Sequence, residues 1–335
     1  MGVSKAGTDR NRGGSGGAAL IPHHFHLIWI GRNFPFVNRL AVESILQTNP
    51  GARITIHFEN PPDNADWISL QAKVEFRASD LAAMLDALPP SMASVGPVLE
   101  GISSGYPAGR SNILRYLVLY REGGIYIDFD TITVRDYRPL LTYPAFIGEE
   151  AVFRYDDDRV SGNFKPAIIP TGICFGLSYY LSLWNCKFLG DSALLNGVNR
   201  ALMEVWSDRK LNNAVLGCEP GSAFFARAIA LVPDTDPKIK YALGPMLMNR
   251  TCATEASRHM RRLSSAYFYF IPPSQTYRFF HGPAHALPPE AFSLHWCSSN
   301  HKKLAAGLTL ENLSKTSTQP TLFHKLALDV IRKGL

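Results

Sequence analysis

Eight residues constrain this fold more than any others: Gly123-Gly124-Ile125-Tyr126-Ile127-Asp128-Phe129-Asp130. A glycine pair, an apolar run and two acids predict a tight turn, a buried strand and two carboxylates at the strand's end. Side chains alternate along a strand. Ile125, Ile127 and Phe129 then face one way, and Tyr126, Asp128 and Asp130 the other. Two carboxylates on one face suit a hard divalent cation, Mn²⁺ or Mg²⁺. Such an ion can neutralise a departing diphosphate.

The flanking sequence sets this strand in an α/β context. His26 to Gly31 reads as a buried strand, Phe36 to Asn49 as a helix stopped by Asn49-Pro50-Gly51, and Arg53 to Phe58 as a second strand. Strand, helix, strand at this spacing predicts a βαβ unit and a parallel sheet. Val74 to Arg77 reads as a third short strand, and Leu81 to Leu88 as a helix ended by Pro89-Pro90. The glycines and prolines from Gly96 to Gly109 predict a loop. Ser111 is then the expected N-cap of a helix over Asn112 to Glu122, ended by Gly123. Asn112 and Arg115 share a face outside its main apolar stripe and are expected to reach a ligand.

The later sequence is less regular. Asp156-Asp157-Asp158 predicts a surface loop, Ala167 to Phe175 a strand, and Ala193 to Trp206 and Ser222 to Val232 helices. A last helix is expected from Leu322 to Lys333. Its apolar side suits docking on the protein's own core, and its lysines and arginine keep a membrane surface open as an alternative.

Composition removes several function classes. The chain has 335 residues, ordinary apolar content and a net charge of +6. No dense basic block with interleaved aromatics is present, so nucleic acid is not expected as a partner. A modest positive charge suits a phosphorylated small substrate or an acidic membrane surface. The five cysteines include no C-x-x-C pair, which argues against a disulfide framework and a zinc knuckle and for a reducing compartment. His23, His24 and His26 could offer zinc ligands, but packing beside a buried strand explains them more simply. No stretch reaches the roughly 18 apolar residues of a membrane span. Residues 1–19 are expected to be a disordered tail rather than a signal peptide.

Arg110-Ser111-Asn112-x-x-Arg115 followed by Leu119-Tyr120-x-x-Gly123-Gly124-Ile125-Tyr126-x-Asp128-x-Asp130 resembles the signature of the DXD-containing sugar transferases. That family includes fungal initiating mannosyltransferases and bacterial capsule and lipopolysaccharide glycosyltransferases, and the large clostridial glucosylating toxins share its central block. Further blocks are similar and in the family's order: Ile21 to Gly31, Leu211-Asn212-Asn213-Ala214-x-x-Gly217, Leu243-Gly244-Pro245, and His295-Trp296-x-x-Ser299. They span about residues 20 to 300.

The resemblance implies an α/β fold of the GT-A type, a nucleotide-diphospho-sugar transferase fold with a mostly parallel central sheet flanked by helices. It implies one catalytic domain over 20–310, with a nucleotide-sugar half at 20–150 and an acceptor half at 151–310, and a C-terminal helical segment at 311–335. By the same likeness Asp128 contacts ribose or sugar hydroxyls and, with Asp130 and His295, the metal. Arg115 reaches sugar or phosphate, Asn112 contacts sugar hydroxyls, and Trp29 stacks on the base beside Ile28. Ser298 or Ser299 lies near the phosphates, and Asn213 joins Asp128, Asp130 and Arg115 in the catalytic set. The implied reaction is metal-dependent transfer with retention from a UDP- or GDP-sugar to a glycan or glycolipid, by front-side attack assisted by the leaving diphosphate. An indole face suits a base, at about 1–3 kcal/mol in comparable stacking.

Two departures stand out. The family's usual Ser-Asp is Ser111-Asn112 here, which removes a charge and adds a donor. Asn300 stands where a tryptophan often follows the closing serine, with Trp296 the nearest indole. Three alternatives therefore stay open: a secreted effector that glycosylates a host protein, a non-catalytic nucleotide-sugar binder, and a nucleotide-sugar hydrolase. The expected location is cytoplasmic, with peripheral membrane contact and secretion both left open.

Overall fold

The computed structural model describes residues 20–102, 106–154, 168–314 and 320–334. The expected N-terminal tail and Asp156 to Asp158 lie outside these residues. The strands are β1 (His24–Trp29), β2 (Arg53–Phe58), β3 (Glu75–Ala78), β4 (Gly124–Ile127), β5 (Thr131–Thr133), β6 (Ala145–Phe153), β7 (Ser207–Cys218), β8 (Met260–Leu263) and β9 (Ser293–His295). The six longest helices are α1 (Phe36–Thr48), α2 (Pro107–Glu122), α3 (Ile168–Phe188), α4 (Ala193–Trp206), α5 (Ala223–Leu231) and α6 (Leu322–Gly334).

Seven strands form one sheet in the order β3-β2-β1-β4-β7-β6-β8. The first four are parallel, β7 runs antiparallel to both β4 and β6, and β8 returns parallel to β6. β5 and β9 make a separate antiparallel pair. The α/β class and the β1–α1–β2 crossover are as expected from the sequence. Strands of a largely parallel sheet are covered on both faces, which is why β1 and β4 are apolar almost throughout and buried. Ile28, Tyr126 and Leu216 join one core with α2 and α5. Phe25, Leu27, Ile125, Ile127 and Phe129 join the other with α1. A third cluster seats α6, whose Leu322, Phe323 and Val330 are buried with Val37 and Leu40 of α1. The last helix thus docks on the protein's own core. No helix among the described residues is long and apolar enough to cross a membrane.

Gly123 and Gly124 are required by the turn into β4. Gly123 has φ of 65° and ψ of −154°. A Cβ there would lie 2.7 Å from the Pro220 nitrogen. At Gly124, with φ of 91°, a Cβ would lie 2.5 Å from the His24 carbonyl oxygen. Gly123→Ala therefore combines a glycine-only conformation with a clash against backbone. We expect it to destabilise the fold by about 3 kcal/mol or more, read as a lowered urea midpoint.

Four local expectations are corrected. α2 begins at Pro107, not Asn112, because proline at the first helical position has its φ pre-set and lacks an N–H that would be unpaired there anyway. Ser111 is consequently inside the helix rather than its cap. Val95–Gly101 is helical rather than loop, since Pro97 falls in the first turn, where no intrahelical N–H bond is lost. The described part of the segment expected as a strand, 168–175, opens α3. Ile169 and Ile173 belong to a helical stripe that continues to Phe188. β4 ends at Ile127, so Asp128 and Asp130 occupy the turn after it.

Candidate active site

The turn after β4 projects two acids beyond the carboxyl ends of the parallel strands, where open α/β sheets place ligands. The β5–β9 pair then decides what meets them. Thr131 pairs with His295, and the Trp296 N–H donates to the Asp130 carbonyl at 3.0 Å. His295 Nε2 comes to lie 3.1 Å from Asp130 Oδ1. The Ser298 backbone N–H donates to Asp130 Oδ2 at 2.7 Å. Donor atoms of Asp128, Asp130 and His295 all lie within 4.8 Å of one another. Two carboxylates and an imidazole fit a divalent cation that accepts mixed oxygen and nitrogen ligands, as Mn²⁺ does.

The electrostatics point the same way. Burial disfavours charge on Asp130, yet His295 and the Ser298 N–H overcome it and hold its pKa down to about 2. Burial raises the pKa of Asp128; Arg115 works against that rise, and the like charge on Asp130 adds to it. Burial also disfavours an imidazolium at His295, but Cys297 and Asp130 beside it push its pKa well above the usual value. Two acids crowded together with a histidine drawn toward its charged form are what a bound cation would relieve.

Asp128 is held from beneath. Tyr126 donates its hydroxyl to Oδ1 at 2.5 Å, and Arg115 Nη2 lies 3.1 Å from the same oxygen. The guanidinium stacks 4.2 Å from the centre of the Tyr126 ring. Arg115 is 5% exposed, and Nη1 donates to the Asn213 carbonyl at 2.6 Å. The expected exposed face of α2 is thus turned inward at Arg115, because the helix lies over the end of β4 and β7. Arg115→Lys would keep a charge and lose the planar fork. We expect turnover to fall about tenfold to a hundredfold with metal affinity largely kept, measured by steady-state kinetics and calorimetry.

Asn213 Nδ2 donates to Asn112 Oδ1 at 2.8 Å and to the Tyr116 hydroxyl at 3.3 Å. A Cβ on Gly244 would sit 3.2 Å from Asn112 Nδ2, so the Leu243-Gly244-Pro245 turn closes on this amide pair. Trp29 is half-buried, edge-on to Phe34 and Phe129, with its indole Nε1–H unpartnered. Ile28 is buried in the core beside Tyr126. Ser298 is half-buried, and Ser299 and Asn300 are exposed. Trp296 is 1% exposed, packed against Phe280 and Phe323, and does not stand in for the missing tryptophan.

Four residues here were not singled out from sequence for roles at the site. Tyr126 lies in the central block on the face of Asp128, and that place two residues before the acid is the signal for its role. Cys297 Sγ lies 3.5 Å from His295 Nδ1. Glu150 of β6 is buried, and its raised pKa reflects burial first, with Asn212 and His295 opposing it. The Tyr269 hydroxyl accepts from the Val215 backbone N–H at 3.0 Å. None of these last three carries a local pattern.

A second cluster sits at the opposite ends of the strands. Donor atoms of His24, His26 and Glu122 also lie within 4.8 Å of one another. Both His26 nitrogens are engaged, Nε2 with the Gly123 carbonyl at 3.1 Å and Nδ1 with His57 Nε2 at 3.1 Å. His24 Nε2 bonds the Thr55 hydroxyl at 2.8 Å. His24 and His26 are therefore packed and hydrogen-bonded within the protein.

Residues 35–147 match the family model described as "Glycosyltransferase sugar-binding region containing DXD motif". This segment is thus similar to the family that the sequence resembles. Among curated proteins, the chain is 25% identical over 168 residues to "Glucan organizing enzyme 1" of Cryptococcus neoformans, covering 46% of this chain and 39% of that one. It is 29% identical over 119 residues to "Mannosyl phosphorylinositol ceramide synthase CSH1" of Saccharomyces cerevisiae, covering 34% of this chain and 31% of that one. The matches span well under half the length of these relatives. Among solved structures, the "WbbM bifunctional glycosyltransferase" is similar over 95% of this chain and 50% of that one, at 10% identity and a TM-score of 0.46.

Proposed function

We propose that this chain is a divalent-metal-dependent, retaining glycosyltransferase of the GT-A type. It takes a sugar from a UDP- or GDP-sugar and places it on a glycan or glycolipid. The observation that carries the reading is the convergence of Asp128, Asp130 and His295 from two distant parts of the chain. These three residues would hold Mn²⁺ or Mg²⁺. When bound, the ion supplies positive charge against a departing nucleoside diphosphate. Arg115 and Tyr126 fix the Asp128 carboxylate in one orientation, and the Ser298 N–H does the same for Asp130. The Asn112–Asn213 amide pair offers the sugar hydroxyls a donor and an acceptor in a fixed arrangement. The unpartnered Trp29 Nε1–H and its partly open ring support a place for the base.

A glycolipid acceptor is supported by the yeast relative, a mannosyl phosphorylinositol ceramide synthase. Free cysteines suit a reducing, cytoplasmic setting. The test is nucleoside-diphosphate release from a panel of UDP- and GDP-sugars with Mn²⁺, with and without glycan, glycolipid and protein acceptors. Release from one donor, abolished by EDTA, is the expected result. A protein acceptor that alone stimulates release would favour the effector reading, and release that no acceptor stimulates would favour a hydrolase.

One observation favours a second reading, a non-catalytic nucleotide-sugar binder. Asn112 brings an amide, already bonded to Asn213, where a carboxylate is usual in the resembled family. That reading expects metal-dependent donor binding by calorimetry and no release from any donor.

A further inference from the structure

α3 is built inside out. Ile169, Ile173, Leu177, Tyr180, Trp184 and Phe188 recur at three- and four-residue spacing and form one stripe. Every one of them is more than half exposed. The face turned to the protein is largely polar: Thr171, Ser178, Ser182 and Asn185 are buried, beside Cys186 and with Phe175 and Tyr179 edge-on to Phe153 and Tyr277. Ser178 donates to Asn199 Oδ1 of α4 at 2.5 Å, and Ser182 to Gln275 Oε1 at 3.4 Å. Asn185 bonds both the backbone N–H and the carbonyl of Ser192. These bonds fix the rotation of α3 about its axis. Turning the stripe inward would strand them, at a cost that buried unpaired polar groups make prohibitive. α4 adds a second outward apolar row, Leu194, Val198 and Val205.

We propose that the α3–α4 hairpin docks on the surface of an anionic lipid bilayer, with its apolar stripe entering the boundary between headgroups and acyl chains. The charges fit such a surface. From Ile168 to Cys186 there is no charged residue, and the first to follow is the exposed Lys187, between Trp184 and Phe188. Arg200 is exposed on α4. Asp191 in the connecting turn is paired with Arg278 at 3.0 Å, which leaves Glu204 as the hairpin's exposed acid. The whole chain carries +6. A second copy of the chain would bring two such basic edges face to face, which disfavours it as the occupant. Tyr180 and Trp184 are the residue types that settle at the water–lipid boundary. A 21-residue helix is about 31 Å long and lies along the surface as an amphipathic element.

The location also fits. β6 and β7 continue past the site, pairing Glu149–Phe153 with Leu211–Ser207, and carry the hairpin on that extension. It therefore stands at the same end of the sheet as Asp128 and Asp130. On the proposed transferase reading, docking there would present the site to a lipid-linked acceptor.

The experiment is flotation of the full chain with vesicles of pure phosphatidylcholine and of phosphatidylcholine mixed with phosphatidylglycerol. Binding to the mixed vesicles is expected, with quenching of tryptophan fluorescence by brominated lipid that Trp184→Phe removes. The double change Leu177→Asp with Phe188→Asp, both at exposed positions, is expected to weaken binding about a hundredfold or more, with the urea midpoint unchanged. Asp130→Asn is expected to float like the wild type, so failure of the transferase reading leaves this result intact. Absence of binding to either vesicle by folded protein would overturn the proposal. So would a lipid-independent dimer that the double change dissociates, which would assign the stripe to a second copy.

Discussion

Replacing Asp130 by asparagine is expected to remove tight Mn²⁺ binding and to lower nucleoside-diphosphate release by about three orders of magnitude. Asn keeps the size of the side chain and an oxygen that can accept the Ser298 N–H bond, now 2.7 Å from Oδ2. What it loses is the charge. Asp130 is the member of the trio held most firmly ionised, with its pKa at about 2 against the cost of its own burial. Asp128 differs, since burial raises its pKa and part of its charge is already answered by Arg115 at 3.1 Å. Asp128→Asn should therefore impair metal binding less than Asp130→Asn does. The check is a thermal melt with and without Mn²⁺, alongside donor turnover. Ligand at a hundred times its dissociation constant stabilises a folded protein by about 2.7 kcal/mol. That metal-dependent rise in melting temperature should vanish in Asp130→Asn, while the metal-free melt remains cooperative. An undiminished rise in the variant would mean that the cation, if it binds, binds elsewhere.

Much of this site was legible because its signals are local. The glycine pair before β4 declares itself, since no other residue tolerates both the φ of Gly123 and the proximity of Pro220. The β1–α1–β2 unit follows from alternation, helical spacing and the Asn49-Pro50-Gly51 stop. What failed was tertiary. Ser298 meets Asp130 across 168 residues, and only the β5–β9 pairing, which no periodicity announces, brings them together. The resemblance named His295, but not the Cys297 and Glu150 around it. Arg115 was expected to be free because it lies off the apolar stripe of α2. The structure turns it onto Asp128 and the Asn213 carbonyl, a choice made by the strands beneath the helix. α3 misled for a related reason. A stripe of its apolar residues faces out and its buried serines face in, so the usual equation of apolar with buried, and of isoleucine-rich with strand, gives the wrong element. Spacing rather than composition was the better guide there.

Acidification from about pH 7 to about pH 5 is expected to destabilise this fold by about 2 kcal/mol or more. The cause is the histidine cluster at the far ends of the strands. Burial comes first in lowering His24 to about 4, with Arg53 adding to it. Burial likewise leads in lowering His57 to about 3, with Arg77 and His24 adding. His26 is pushed well below its usual value by burial and by its two histidine neighbours. An unfolded histidine titrates near 6.5. Below that pH the unfolded chain binds protons that the folded chain refuses, so the stabilisation is complete above pH 6.5 and is lost as the pH falls toward the folded values. His24 and His57 each contribute about 2 kcal/mol over this interval, and His295 opposes them because its folded pKa is raised. The chain of bonds makes the cluster specific. The Gly123 carbonyl can only accept, so His26 Nε2 carries the proton and its Nδ1 accepts from His57 Nε2–H. Protonating His26 would set a donor against a donor at 3.1 Å and disturb the turn that positions Asp128 and Asp130. Urea melts at several pH values test this, with the slope on denaturant unchanged and the midpoint falling. His57→Gln can still donate to His26 and does not titrate, so it should flatten the pH dependence by about 2 kcal/mol. If stability stays level from pH 7 to pH 5 in the wild type, the three histidines are not held in their neutral forms by the fold.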